Sequence, residues 1–170
     1  MKQQTENPMR KVKMEKIILS CRGVKEDLDK GFKLLEKISK KKPAKRLTMK
    51  RIPSFGIRPK LEVGCMVTLR GKEAMKLLPR LLASINNELR KKQIQNNHFS
   101  FGIDEYIEIP GEEYDRDIGM WGLEVTIVFK RNGKRAKIKK IKRGRTPKKQ
   151  EASKEEIIKF MEENFQTTIE

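Results

Sequence analysis

The stretch LEVGCMVTL, residues 61–69, has an apolar side chain at every second position, and all but Met66 of the residues between them are small or polar. Successive side chains of a β-strand point to opposite faces of a sheet, so Leu61, Val63, Cys65, Val67 and Leu69 lie on one face. The same alternation recurs over residues 99–109 and 121–129, and residues 12–20 are rich in Ile and Val. Such one-sided alternation is typical of antiparallel strands that bury one face.

Three segments between and after these strands have the spacing of amphipathic helices. The first spans residues 27–39, and the second follows the strand at 61–69 with an apolar stripe that reaches Leu89. Pro79 inside the second helix is expected to kink or split it. A capping box formed by Ser153 and Glu156 predicts the start of the third helix. The element order predicts an α+β fold, a largely antiparallel sheet with helices packed on one face.

Positive charge is concentrated in two segments. Of the 41 Lys and Arg, nine lie in residues 40–60, the basic loop, and twelve lie in residues 130–149, the basic arm, and neither segment contains an acid. The two segments together carry +21, whereas the other residues sum to −3. Cationic side chains stay in solvent and repel one another unless a polyanion neutralises them, which favours nucleic-acid binding over solvated loops that only aid solubility. We expect one RNA-binding domain over residues 1–170.

Other classes of function lack the residues they need. Two Cys and one His supply neither a disulfide framework nor a four-ligand zinc site, and the glycines do not have phosphate-loop spacing. We therefore expect no enzyme, no catalytic residue, no metal and no cofactor. No apolar run approaches the roughly 18 residues of a membrane helix, and residues 1–10 do not resemble a signal peptide, so we expect a cytoplasmic protein without membrane contact. A nuclease using carboxylates between Asp104 and Asp117 is the weakest alternative, and a solvated acidic edge is the simpler interpretation.

The tip of the basic loop has a constrained backbone and exposed apolar residues. Two prolines flank Gly56, and Phe55 and Ile57 lie among cations. Either the loop is a semi-rigid finger whose Phe55 stacks on RNA, or both apolar side chains fold back onto the core. In the arm, Asn132-Gly133 is a hairpin-turn signal. The arm is either ordered by RNA or a flexible tail.

Six short motifs occur in an order that resembles a known family. They are Asn7-Pro8-Met9-Arg10, Ser54-Phe55-Gly56-Ile57-Arg58, Val67-Thr68-Leu69-Arg70-Gly71, Phe99-Ser100-Phe101-Gly102-Ile103, Tyr114-Asp115 with Ile118-Gly119, and Ser153-Lys154-Glu155-Glu156. Each motif is weak alone, but the ordered set covers nearly the whole chain. It resembles large-subunit ribosomal protein five, called eleven in eukaryotic numbering, in its archaeal and eukaryotic branch. The chain departs from the family at residues 20–26, where one glycine remains of the usual Gly-x-Gly-Glu-Ser turn.

The resemblance implies a structural role on the large ribosomal subunit. Family members lie in the central protuberance, bind 5S rRNA beside large-subunit protein eighteen, contact P-site tRNA through a basic loop and touch small-subunit protein thirteen. The matching tRNA-contacting residues are Lys50, Arg51, Ser54, Phe55, Gly56, Ile57, Arg58 and Lys60. We expect contacts with 5S or large-subunit rRNA from Asn7, Met9, Arg10, Arg22, Lys45, Arg46, Arg70, Lys130, Arg131, Lys134 and Arg135. A basic RNA-binding module or RNA chaperone outside the ribosome is the alternative.

Overall fold

A six-stranded sheet forms the centre of the fold in the computed structural model, which describes residues 7–169. The strands are β1 (Lys13–Arg22), β2 (Ala44–Leu47), β3 (Glu62–Leu69), β4 (Glu88–Leu89), β5 (Ile94–Gln95), β6 (His98–Ile103), β7 (Leu123–Lys130) and β8 (Thr168–Ile169). The helices are α1 (Glu26–Ser39), α2 (Lys72–Ala83), α3 (Arg135–Ile138) and α4 (Lys154–Phe165). The sheet order is β2-β3-β1-β7-β6-β5 with antiparallel neighbours, while β4 and β8 pair separately in parallel. The predicted α+β fold is confirmed.

The alternation of the sequence determines which face of the sheet is buried. In β7, Leu123, Val125, Ile127 and Phe129 are buried and the residues between them are half-buried. Helix α1 packs against β1 and β3 on this face. Gly31 allows the close approach, because a Cβ added there would lie 3.0 Å from the Cβ of Cys21. Even a single methyl group at this position would therefore press against β1.

Aromatic side chains join α4 to β6 and β7 on the same buried face of the sheet. The ring of Phe99 is stacked with that of Phe129 at a centroid distance of 5.8 Å, and Phe129 meets Phe160 of α4 edge-on at 5.5 Å. The predicted capping box at Ser153 and Glu156 is confirmed. The buried apolar residues of the described part of the protein, apart from Leu28, form one cluster. The extent of the domain over residues 1–170 stays a prediction, since the structure describes only 7–169.

Three details differ from the sequence prediction. Helix α2 ends at Ala83 rather than near Leu89, because Asn87 takes a left-handed conformation (φ 59°) and its N–H closes a turn on the Leu82 carbonyl. Pro79 does not split α2, since it removes one donor from a helix whose neighbouring leucines are buried against the sheet. The strand predicted from the alternation over 99–109 is too long, because β6 ends at Ile103 and a short 3-10 turn follows.

The structure contains no helix, within residues 7–169, that is long and apolar enough to span a bilayer.

Candidate nucleic-acid interface

The helices leave one face of the sheet open. Along each central strand the side chains that alternate with the buried ones are half-buried or exposed, and we call this side the open face. The strand register aligns Thr68, Ile18, Thr126 and Ser100 in one row across β3, β1, β7 and β6. Three of these four side chains carry a hydroxyl group, which both donates and accepts hydrogen bonds. The open face is therefore a shallow polar platform.

Positive charge borders this platform at both ends. Lys16 lies beside Val128 in the row at one end, and Arg22 and Arg46 flank Gly64 at the other. The Arg22 guanidinium is 2.8 Å from the Glu124 carboxylate on the same face and thereby reduces its negative charge. A groove of about 680 Å³ crosses this end and is lined by Arg22, Ser20, Ser100 and Asp104 among others.

The open face could not be identified from the charge pattern, because its central residues are neutral. The outward positions of the strands predict which side chains face away from the core, including Thr68. The alignment of that position with Thr126 and Ser100 depends on the register between strands that are distant in the sequence. These hydroxyl residues were absent from the predicted RNA contacts.

The part of the basic loop that follows β2 forms a narrow projection between β2 and β3. The Lys60 N–H donates to the Thr48 carbonyl at 2.7 Å, and Ile52 and Ile57 pair as an isolated bridge nearer the tip. Gly56 closes the tip with a left-handed φ of 62°. Phe55 is 76% exposed, so it does not fold back onto the core. This exposed ring is one of the predicted tRNA-contacting residues, which lie between Lys50 and Lys60 in the sequence.

The N-terminal turn packs against the start of the basic arm. The Asn132 side-chain amide donates to the Pro8 carbonyl at 2.9 Å, and the Asn7 side chain accepts from the Met9 N–H at 3.0 Å. These contacts bring together two predicted RNA-binding groups that are distant in the sequence: Asn7, Met9 and Arg10 with Lys130, Arg131, Lys134 and Arg135. The signal at Asn132-Gly133 does not make a hairpin, because the chain continues into α3 and Lys134 pairs with Glu15.

The other predicted contacts lie on or beside the sheet. Lys45 and Arg46 are exposed on edge strand β2, where Lys45 pairs with Glu62 at 2.8 Å. Arg70 is exposed directly after β3. Arg131 differs from the rest, since its side chain is only 13% exposed and pairs with Glu156. Its direct contact with RNA stays a prediction, while its observed contacts hold the arm to α4.

Glu156 connects the arm to the N-terminus of α4. Its carboxylate accepts from the Arg131 guanidinium and, at 3.0 Å, from the Ser153 N–H. Burial acts to raise the pKa of Glu156, but the hydrogen bonds from Arg131 and Ser153 outweigh it and lower the pKa below 4.5 overall. The ionised form is therefore favoured by folding.

We expect Glu156→Gln to lower the free energy of unfolding at neutral pH by about 1 kcal/mol, since glutamine keeps the capping box but loses the charge that Arg131 pairs with. A carboxyl whose folded pKa is lowered stabilises the fold above its unfolded pKa and ceases to do so as pH falls through the folded value. The difference between variant and parent should therefore shrink in urea unfolding as pH falls below the ordinary range of a glutamate carboxyl. Glu155→Gln on the same helix is the control, and an equal loss there would contradict the assignment.

Three of the seven carboxylates in the acidic segment, residues 104–117, are paired with the protein's own cations. Arg80 is 2.9 Å from Glu112, Lys33 is 3.5 Å from Asp117, and Lys37 is 4.0 Å from Asp115. Within residues 7–169, no group of three or more His, Cys, Asp or Glu side chains is arranged to hold a metal ion. The ion pairs attach the segment to α1 and α2, which favours the interpretation as a solvated acidic edge over the nuclease alternative.

Comparison with known proteins identifies one family. A model of the C-terminal part of the ribosomal protein L5 family matches residues 62–160. The protein named large ribosomal subunit protein uL5 of Nanoarchaeum equitans is 39% identical over 168 residues, covering 96% of this chain and 99% of that protein. The uL5 proteins of Methanosphaera stadtmanae and Sulfurisphaera tokodaii are 38% and 37% identical, and the matches cover 85% and 98% of this chain and 87% and 96% of theirs.

Proposed function

Because the chain belongs to the ribosomal protein L5 family of structural, non-enzymatic large-subunit proteins, we propose that it binds 5S rRNA in the central protuberance and contacts P-site tRNA through its basic loop. Association with rRNA follows from membership of the large subunit. Binding to 5S rRNA, the tRNA contact and residence on cytoplasmic ribosomes are the specific parts of the proposal.

The observation that carries the proposal is the unneutralised charge of the two basic segments. Of their 21 Lys and Arg, four form ion pairs with carboxylates of residues 7–169, namely Lys41, Lys45, Arg131 and Lys134. The other 17 have no acidic partner within this part of the protein. An RNA backbone supplies phosphates at a density that can neutralise them and releases its counter-ions in return.

The open face supports docking onto double-helical RNA. An A-form helix presents a wide, shallow minor groove with ribose 2′-hydroxyls, which proteins recognise mainly by shape and by hydroxyl and phosphate contacts. The row of Thr68, Thr126 and Ser100 offers hydroxyls on a matching shallow surface, and Arg22 and Lys16 stand at its ends. Phosphate contacts would set the orientation, and few bases would be read directly.

The acidic segment is the favoured surface for the proposed protein partners, large-subunit protein eighteen and small-subunit protein thirteen. Carboxylates such as Glu105, Glu108 and Glu113 would repel RNA phosphates and attract cationic side chains of another protein. RNA would thus contact the positively charged surfaces, and the protein partners would contact the negatively charged one.

The experiment changes the loop within assembled ribosomes. Arg51→Ala combined with Arg58→Ala should leave the protein in the large-subunit fraction of a sucrose gradient, because both side chains are exposed and make no ion pair within residues 7–169. Retention of P-site tRNA should fall at least about tenfold, since the loss of even one charged hydrogen bond, with a net contribution of roughly 1.5–3 kcal/mol, is expected to have that effect.

The matched control is Lys91→Ala with Lys92→Ala, which removes two other exposed cations. It should leave tRNA retention unchanged. Equal retention in the loop variant and the control would refute the tRNA contact, whereas a wild-type protein that binds RNA but does not sediment with the large subunit would favour an RNA chaperone outside the ribosome.

A further inference from the structure

The start of the basic arm folds back over the end of β7 and encloses a small cavity. The Gln150 side-chain amide donates to the Asn132 carbonyl at 3.0 Å, and the Arg131 guanidinium donates to the Lys149 carbonyl at 3.1 Å. Between these contacts lies a cavity of about 120 Å³. The two ends of the arm are thus joined around a space that the protein does not fill.

Cationic side chains dominate the lining of this cavity. Lys130, Arg131, Lys134 and Lys137 line it, against the single carboxylate of Glu151. Glu156 and Glu15 pair with Arg131 and Lys134 and hold these two cations in place. Lys130 and Lys137 have no acidic partner within residues 7–169, so the cavity keeps a positive charge that an anion can neutralise.

One donor at this site lacks an acceptor. The Nε–H of Arg131 is buried and has no hydrogen-bond partner within residues 7–169, although the other nitrogens of the guanidinium are paired. An unsatisfied buried donor destabilises a protein by about 1–3 kcal/mol and is rare in native structures unless a bound group completes it. The Nε atom is closed off from solvent, so an oxyanion in the adjacent cavity would act on this N–H through its negative charge and would bond to it directly only after a small shift of the guanidinium.

The size and composition of the cavity favour a phosphate over a base. Its volume of about 120 Å³ corresponds to roughly four water molecules. Phe129 contributes to the lining, but its side chain is fully buried and offers no free ring face for stacking. The cavity also includes Thr146, whose hydroxyl is a suitable partner for a phosphate oxygen.

We propose that this cavity binds a backbone phosphate of ribosomal RNA, held by Arg131, Lys130 and Lys137, and that the bound phosphate fixes the arm against β7 and α4. The proposal rests on the proposed function for the identity of the RNA, but the phosphate site itself exists without RNA. Arg131 then links the arm to α4 through Lys149 and Glu156, while Lys130 and Lys137 supply the cations that bind the phosphate.

Titration of the free protein with inorganic phosphate tests the site directly. At constant ionic strength, the Arg131 Nε–Hε resonance should shift and saturate with phosphate but not with chloride. Lys137→Gln should weaken phosphate binding about tenfold through loss of one charged hydrogen bond. Lys140→Gln, which removes an exposed cation of the same arm outside the cavity, should bind phosphate like the parent. An unmoved Arg131 resonance, or equal effects of the two substitutions, overturns the phosphate site.

A second measurement identifies the source of the phosphate. With 5S and large-subunit rRNA transcripts as probes, Lys137→Gln should weaken binding to one of them more than Lys140→Gln does. Phosphate binding combined with equal RNA losses in both variants would overturn RNA as the ligand and indicate a free anion. If the parent protein binds neither transcript, the proposed function is contradicted. The phosphate titration would still decide separately whether the cavity binds phosphate.

Discussion

Raising monovalent salt from about 50 to about 200 mM is expected to weaken binding of this protein to 5S rRNA by roughly 10³- to 10⁵-fold, if six to ten phosphates are contacted. The expectation follows from the location of the charge, because the basic loop and arm carry the entire positive excess of the chain. Most of these cations have no acidic partner within residues 7–169, so RNA phosphates would displace solvent counter-ions rather than an existing ion pair.

Fluorescence anisotropy with labelled 5S rRNA across a salt series measures the slope of log affinity against log salt concentration. Lys139→Gln with Lys142→Gln, two exposed cations of the arm, should lower this slope of log affinity against log salt by about two, one for each phosphate that the variant no longer neutralises. Glu108→Gln, on the acidic segment, should leave it unchanged. A flat dependence on salt would contradict phosphate docking and would leave the open face as the main source of affinity.

Most of the fold could be predicted because the strands and helices of this chain carry strong local patterns. The alternation at residues 61–69 and the capping box at Ser153 each depend on neighbours within a few positions, and both appear as predicted. Where tertiary packing competes with a local rule, the packing decides. Pro79 disfavours a helix locally, yet α2 continues through it because the flanking leucines are buried.

The candidate interface was less predictable, because its important contacts join distant parts of the chain. Nothing near Asn132 predicts that its amide reaches Pro8, and nothing near Arg131 predicts burial against Glu156. Charge identified the two basic segments, since a run of cations is visible in sequence. Charge did not identify the neutral hydroxyl row, whose meaning appears only after the register places Thr126 between Ile18 and Ser100.

Replacing Gly122 by alanine is expected to destabilise the protein strongly, although the change adds one methyl group. Gly122 lies directly before β7, and a Cβ there would be 2.7 Å from the Asp104 carbonyl oxygen and 2.8 Å from that of Ile103. Both obstacles are backbone atoms at the end of β6, so no side chain can rotate away. Separating the strands to relieve the clash should lower the free energy of unfolding by about 1–3 kcal/mol or more.

The neighbouring glycine of the same surface provides the matched control. A Cβ at Gly102 has nothing within 4 Å, and Gly102 already has an ordinary strand conformation, so Gly102→Ala should be neutral or stabilise slightly. Urea unfolding should therefore separate the two alanine variants, with a lower midpoint for Gly122→Ala alone. If Gly122→Ala proved as stable as its control, the β6–β7 edge would be looser than these distances require. The groove beside Arg22 could then not be a preformed surface for RNA, because its wall would move with little resistance.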